Sequence, residues 1–429
     1  MKISVEGYKS ISTKQELEFD GLTILSGANS SGKSSFMQPF LILKQTLENH
    51  YDSGYLILNG ENAKLTDSSQ IISKVTPVEK LFTLSLSQSS GTSSISYKYK
   101  RGTGLIPYIA TMKNDKFPEG IDIRAGMRHS EIVKLIPLKE FPIFDKIAQD
   151  KKIKPKWRTI RDKCFLSFEL SFPDKEYSFF KAGIDPTRNL ERFATTLIHV
   201  PGLRGYPERR YKVALSKDVY PGSFEKYVAS IILDWSTSKK EQKNLALLIN
   251  QLQELELANN IKAEKIDDTS VEVMISRAKN SNLTDCVSVA DVGFGVTQTL
   301  PVLVALLVAK KGQAVYIEQP ELHLHPKAQF ILSGMIVEAV ERGVKVIIET
   351  HSSILIRGFQ ISVLKKKIAP NKISLNWFSQ NSETGATTVD SCKLDEFGAF
   401  GDWPEDFEDT TLYVESMYLD AVEEAISGQ

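Results

Sequence analysis

Apolar and polar side chains alternate from Lys2 to Tyr8, which predicts a strand, and Glu16 to Phe19 can pair with it. Leu22 to Leu25 is a short apolar run ending at Ser26-Gly27. Ser34 to Leu47 changes to helical spacing, with Phe36, Phe40, Leu41, Leu43 and Leu47 on one side. The middle of the chain reads differently. Leu81 to Leu105 is rich in Ser, Thr and Tyr and predicts antiparallel hairpins with a turn near Ser90-Gly91. Leu166, Phe168, Leu170 and Phe172 alternate with polar residues, as in a half-buried strand. Phe224 to Trp235 and Lys243 to Leu257 read as helices, and Ile261 to Val289 as a further hairpin.

From Asp291 the pattern becomes α/β. A helix is predicted from about Val296 to Ala309, a buried strand at Ala314 to Ile317, a helix near Pro326 to Glu341, and a β-branched strand, Val344 to Ile348, ending at Glu349-Thr350-His351. No internal repeat, low-complexity tract or long heptad array is present.

Gly27-Ala28-Asn29-Ser30-Ser31-Gly32-Lys33-Ser34 matches G-x-x-x-x-G-K-[ST], between a strand and a helix as that motif requires. Its glycines let backbone N–H groups wrap phosphate oxygens at a helix N-terminus. Asn29, Ser30, Ser31 and Ser35 line or flank the loop. Lys33 would reach the β/γ-phosphates and the Ser34 hydroxyl would bind Mg²⁺, so ATP and Mg²⁺ are the expected ligands. A chance Gly/Ser-rich turn is the alternative reading.

Glu318 ends the Ala314–Ile317 run, where a second nucleotide-site strand places a Mg²⁺-associated acid. The next residue, where an ATPase of this type carries the glutamate that handles the attacking water, is Gln319. A glutamine orients water but takes no proton, so either Glu321 supplies the carboxylate or hydrolysis is slow. His351 would contact the γ-phosphate. Asp291 to Gln298 opens a helix with Gly293 and Gly295, whose N–H groups could face the ATP of a partner subunit. His323 and His325 form an HxH pair read as interface residues rather than metal ligands. His50, His129 and His199 stand alone and read as structural or surface residues.

In this order the motifs resemble the ABC-type ATPase heads of the SMC/RecF/OLD group: Gly7-Tyr8-Lys9-Ser10, Gly27 to Ser34, an insertion, Asp291 to Gln298, Ile317 to Glu321, and His351. More narrowly the chain looks like ATPases with a DUF3696-type C-terminus, through Leu58-Asn59-Gly60, Pro201-Gly202-Leu203-Arg204, Glu318 to Pro326, and Gly401-Asp402-Trp403-Pro404. Two positions depart from the group: Val292 stands where its signature loop often has Ser, and Gln319 weakens the case for fast turnover. The resemblance implies an α/β P-loop NTPase, an ABC-type head with a mixed β-sheet core and a large α+β insertion. The head would comprise 1–80 and 265–394, the insertion 81–264, and an acidic C-terminal segment 395–429. It also implies a low-turnover ATPase that pairs head to head with itself, or in a higher homo-oligomer. Relatives form the ATPase part of anti-phage systems resembling Septu, PARIS or retron-associated modules, with a separate nuclease or toxin as effector. Those relatives set the expected function as a switch that senses DNA or a phage-derived trigger. A RecF-like DNA repair ATPase and a nucleotide-bound scaffold with little hydrolysis are the alternatives. Only 78 residues follow His351, short for the TOPRIM nuclease that OLD-type relatives append, and Leu412-Tyr413-Val414-Glu415 only faintly resembles its first strand.

Composition narrows this picture. The 429 residues carry 53 Lys+Arg against 53 Asp+Glu, which excludes nucleic-acid binding by bulk charge. Asp395 to Gln429 holds eleven acids and no base, so the preceding 394 residues, with 42 acids against 53 bases, are net +11. A local basic surface therefore remains open. Candidates are Lys98, Lys100 and Arg101 and the run from Lys151 to Lys163 around Trp157, with a solvated loop as the other reading; Arg204, Arg209 and Arg210, in a Pro/Gly-rich loop, could bind phosphate or a subunit partner. The acidic tail could cover such a surface, dock a basic partner, or simply be solvated. Three separated cysteines and the absence of a signal-peptide h-region or an apolar run of membrane-spanning length fit a cytoplasmic protein with no membrane partner.

Overall fold

The computed structural model describes residues 1–75, 80–136, 141–151, 154–173, 179, 181–214, 216, 218–276, 278, 285–401 and 416–417. The Gly401-Asp402-Trp403-Pro404 motif beyond Gly401, most of the acidic tail, and Leu412 to Glu415 lie outside the described residues.

Two six-stranded sheets organise the chain. The central one runs in the order Ile198–Val200, Ala314–Glu318, Lys345–Glu349, Leu22–Gly27, Ile373–Gln380, Thr387–Lys393. Its first five strands are parallel and the last is antiparallel. The second sheet is antiparallel throughout: Gln15–Glu18, Lys2–Glu6, Leu81–Gln88, Gly91–Lys100, Gly104–Asn114, Phe117–Arg124. This is the α/β P-loop NTPase fold with a mixed central sheet that the motif order predicts. The strand Leu81–Gln88 pairs directly with Lys2–Glu6, so the sheet is built from segments on either side of the P-loop.

Side-chain alternation on the parallel strands divides the interior into two cores. Val315, Ile317, Val346 and Ile348 face the helices Glu225–Thr237, Phe294–Val308, Pro326–Glu341 and Ser353–Leu364. Ala314, Tyr316 and Ile347 face the other way, toward the P-loop helix Lys33–Leu47 and the antiparallel sheet. Glu318 and Glu349 follow the second set by period two, so both carboxylates leave the sheet on the P-loop side.

The predicted helix Pro326–Glu341 matches its observed bounds, and the other predicted elements agree to within a few residues. In the central sheet three strands went unread: Ile198–Val200, Ile373–Gln380 and Thr387–Lys393. The first holds only three residues, and its apolar signal merges with the helix Arg188–Thr196 before it. Among the described residues no helix is long and apolar enough to cross a membrane.

Candidate functional site: the P-loop and the acids beside it

The P-loop leaves its strand at Gly27, whose φ of 139° lies in the region that side chains avoid. A Cβ there would sit 2.1 Å from the Phe378 carbonyl oxygen on the neighbouring strand. Gly32, with φ 106°, faces the Thr387 hydroxyl at a distance no Cβ tolerates. Thr387 braces the loop: its hydroxyl donates to the Ser31 carbonyl and contacts the Ser10 hydroxyl, both at 2.8 Å. The Gly7-Tyr8-Lys9-Ser10 turn is thereby tied to the phosphate loop. Asn29 and Ser30 are exposed, whereas Ser31, Gly32 and Lys33 are buried. The Lys33 ammonium lies inside the loop, donating to the carbonyls of Gly27 at 3.0 Å and Ala28 at 2.7 Å. Burial lowers its pKa.

Parallel register places two carboxylates beside the loop. Glu318 and Glu349 are partners on adjacent strands, and Glu349 in turn partners Leu25 of the P-loop strand. Glu349 is therefore the acid next to the loop. The Ser34 hydroxyl donates to Glu349 Oε1 at 2.9 Å, and the Tyr316 hydroxyl to Glu349 Oε2 at 3.0 Å. Glu318 turns the other way. Its Oε1 meets His199 Nε2 at 3.1 Å, and its Oε2 accepts from the Gly202 amide at 3.0 Å. The structure thus brings Ser34 to Glu349 rather than to Glu318. Burial pushes both carboxyls up. At Glu318 the bonds from His199 and Gly202 outweigh burial and hold it below its ordinary value. At Glu349 burial wins, aided by the neighbouring Glu318 charge.

The turn after the acidic strand completes the cluster. Gln319 takes φ 44°, and its amide donates to the Glu349 carbonyl at 2.7 Å. Glu321 Oε1 accepts from the Thr350 hydroxyl at 2.8 Å and the His351 amide at 3.1 Å. Its Oε2 is buried without a partner among the described residues. Burial raises the Glu321 carboxyl and, with the Lys33 charge, lowers the His351 imidazole. Lys33, Ser34, Glu318, Gln319, Glu321 and His351 therefore share one edge of the sheet.

Gly293 and Gly295 do not join them. Gly293 caps the helix Phe294–Val308, which packs on Ile198–Val200 and Ala314–Glu318. The P-loop strand lies two strands beyond Ala314–Glu318, about 10 Å across the sheet. This end of the helix is open to solvent, with Phe294, Tyr206 and Leu203 exposed.

Two site residues were missed. Glu349 was passed over as the end of a strand, although a carboxylate closing a buried β-branched run is itself a signal. His199, read as an isolated structural or surface residue, is buried against Tyr316 and bonds Glu318. Its signal was weaker: one polar residue inside the apolar run Leu197 to Val200.

Other expectations are corrected. Arg204 is buried, its guanidinium turned inward to donate to the carbonyls of Gln298 at 2.9 Å, Glu318 at 2.8 Å and Gln319 at 3.3 Å. Burial lowers its pKa to about 10. Arg209 forms a two-bond ion pair with Asp291, at 2.8 and 2.5 Å. Trp157 is buried between Phe141 and Phe168, so it offers no face for stacking a base. Around it, Arg158 pairs with Glu169, Arg161 with Asp52, and Lys163 donates to the carbonyls of Leu47 and Asn49. Lys152 lies outside the described residues. His325 caps the helix Pro326–Glu341, and the His323 ring lies by Phe294. Among the described residues no cluster of three or more His, Cys, Asp or Glu could hold a metal.

Residues 150–357 match the family model described as "AAA domain, putative AbiEii toxin, Type IV TA system". That span includes His199, Glu318, Glu349 and His351 but not the P-loop. No curated protein matches the chain. Among solved structures, similar chains include an SMC head bound to the C-winged helix domain of ScpA, at 12% identity and TM-score 0.42, covering 92% of this chain and 98% of that one. The SMC head domain from Thermotoga maritima is similar at 11% identity and TM-score 0.39, covering 91% and 97%. An SMC head with an extended coiled coil, bound to the C-terminal domain of ScpA derived from Pyrococcus furiosus, gives 12% identity and TM-score 0.42, covering 91% and 96%. At such TM-scores the likeness carries no weight for the chemistry, which rests on this chain's own residues.

Proposed function

We propose that this protein binds ATP with Mg²⁺ at the P-loop and hydrolyses it slowly, as a switch. The observation that carries this is the Ser34–Glu349 hydrogen bond beside a glycine-built loop that encloses Lys33. The donor set fits the ion: a hydroxyl and a carboxylate are the hard oxygen ligands that Mg²⁺ takes, and the buried Ser31 hydroxyl has no protein partner. Ser34 and Glu349 would hold the ion, with Glu318 in the next shell. Bound Mg²⁺ neutralises charge on the phosphates during transfer. Lys33 binds the β/γ-phosphates. Glu321 accepts the proton of the attacking water through its free Oε2, and Gln319 orients that water. His351, tied to Glu321 through its amide, sits where loss of the γ-phosphate would be felt.

A nucleotide on the P-loop lies across the sheet from Gly293 and Gly295 of its own chain. This supports a head-to-head pair in which one chain's signature helix caps the other's ATP, with the exposed Leu203, Tyr206 and Phe294 buried between them. The finer reading is that closure controls a separate effector in anti-phage defence. The matched family's description, which names a putative AbiEii toxin and a Type IV TA system, supports a place for the chain in a toxin-bearing system. The burial of Trp157 and the paired arginines around it disfavour a nucleic-acid grip at that cluster.

The test is nucleotide binding by the purified chain and by Lys33→Ala. Wild type should bind ATP with Mg²⁺, and Lys33→Ala should lose at least ~10-fold in affinity, since a charge-assisted contact is removed. Equal binding by the two would overturn the proposal.

A further inference from the structure

We infer that His199 is a positioning residue for the phosphate site, one that holds Glu318 on the edge-strand side, apart from Glu349, which strand order has set beside Ser34. This rests on the ATP-site reading above. Glu318 and Glu349 are register partners and leave the sheet side by side on one face. Two like charges so placed need separate partners. Glu318 has both oxygens engaged on the edge-strand side, by His199 and Gly202. Glu349 has both engaged as well, by Ser34 of the P-loop helix and by Tyr316 of the strand that carries Glu318.

The ring that makes this division is itself fixed. His199 is buried and stacks on Tyr316 with centroids 5.3 Å apart and planes 11° from parallel. Its Nδ1 faces Asn62 Oδ1 at 3.2 Å. A neutral ring has one hydrogen and cannot donate to both Asn62 and Glu318. Asn62 Nδ2 is buried without a partner among the described residues. Turning that amide end for end gives Nδ1 a donor and leaves the ring hydrogen on Nε2, directed at Glu318. Asn62 belongs to a segment that Gln45 of the P-loop helix grips, donating to the carbonyls of Ile57 and Ala63 and accepting from the Ala63 amide. His199 therefore spans from the acidic strand to the segment packed on the P-loop helix.

The experiment is a double-mutant cycle in the full chain with His199→Ala, His199→Gln, Glu318→Gln and the His199→Ala/Glu318→Gln pair. Phosphate release, binding of a fluorescent ATP analogue with and without Mg²⁺, and thermal unfolding are measured on each. His199→Ala should lower kcat by ~10–100-fold, as for outer-shell partners, with KM moving by less than ~3-fold. His199→Gln should recover most of that, because its amide can donate to Glu318. In the Glu318→Gln background, His199→Ala should add less than ~2-fold, since the histidine acts through that acid. The inference is overturned if the two losses multiply, if His199→Gln is no better than His199→Ala, or if kcat follows only the fraction unfolded. A wild-type chain that fails to bind the analogue overturns the ATP site itself, and the same binding curves distinguish that result.

Discussion

The Ser34 hydroxyl and the Glu349 carboxylate meet at 2.9 Å although 315 positions separate them in the chain. Glu349 is the buried half of an adjacent carboxylate pair, so neutralising it relieves repulsion while taking the charge from the P-loop serine's partner. Glu349→Gln should lower ATP turnover by ~10–100-fold. Its thermal midpoint should equal or exceed that of wild type, because a desolvated acid has become neutral. Phosphate-release assays and calorimetry on one preparation check both halves; a fall in both together would point to a fold defect.

Burial holds the Glu321 carboxyl above its ordinary range, against the bonds from Thr350 and His351. An acid raised on folding binds its proton more readily in the folded chain. Its contribution is complete below the ordinary carboxyl range and is lost as pH rises through the raised value. Glu321→Gln should therefore flatten the fall in stability above the ordinary Glu range and be the more stable form at neutral pH. A residual slope of the same sign should remain from Glu349, which is raised mainly by burial. Denaturant midpoints measured across ~pH 4 to ~pH 8 give the comparison.

Arg204 ties the helix Phe294–Val308 to the acidic strand and the turn after it through three main-chain carbonyls. Arg204→Ala should cost about 3 kcal/mol or more, since these buried acceptors lose a charged donor. Arg204→Lys should recover only part, because one ammonium cannot reproduce the planar fork. Urea unfolding of both variants measures the difference, and turnover should fall with Arg204→Ala because Glu318 and Gln319 lose their anchor.

Trp157 packs with its ring 5.3 Å from that of Phe141, centroid to centroid. Trp157→Ala should destabilise the chain by ~3–5 kcal/mol, as for a large aromatic in a core. Trp157→Phe, which keeps a folded core, should leave affinity for single-stranded oligonucleotides unchanged in anisotropy titrations. A stacking role would instead give a loss of ~1–3 kcal/mol in that binding.

The P-loop was legible because its chemistry is contiguous: eight residues, Gly27 to Ser34, between a strand and a helix whose periodicities are themselves readable. Glu318 and His351 were legible by the same logic, each at the end of a buried strand. Trp157 was misread because basic neighbours suggest a surface, while Phe141 and Phe168, which bury it, are distant in sequence. Arg204 was misread because a Pro/Gly-rich loop suggests exposure, and only its packing shows the guanidinium turned inward.

By itself the sequence determined the local devices, namely the glycine loop, the helix that follows it, and the acids that close apolar strands, because backbone conformation and side-chain period are short-range properties. Only the tertiary structure decided which acid stands beside the loop. That choice follows from the order of parallel strands, which sets Lys345–Glu349 between Ala314–Glu318 and Leu22–Gly27 and adds Ile198–Val200 at the edge. Strand order is fixed by which hydrophobic faces pack together, not by any one segment's pattern. It is why Ser34 finds Glu349, and why His199 is left to hold Glu318.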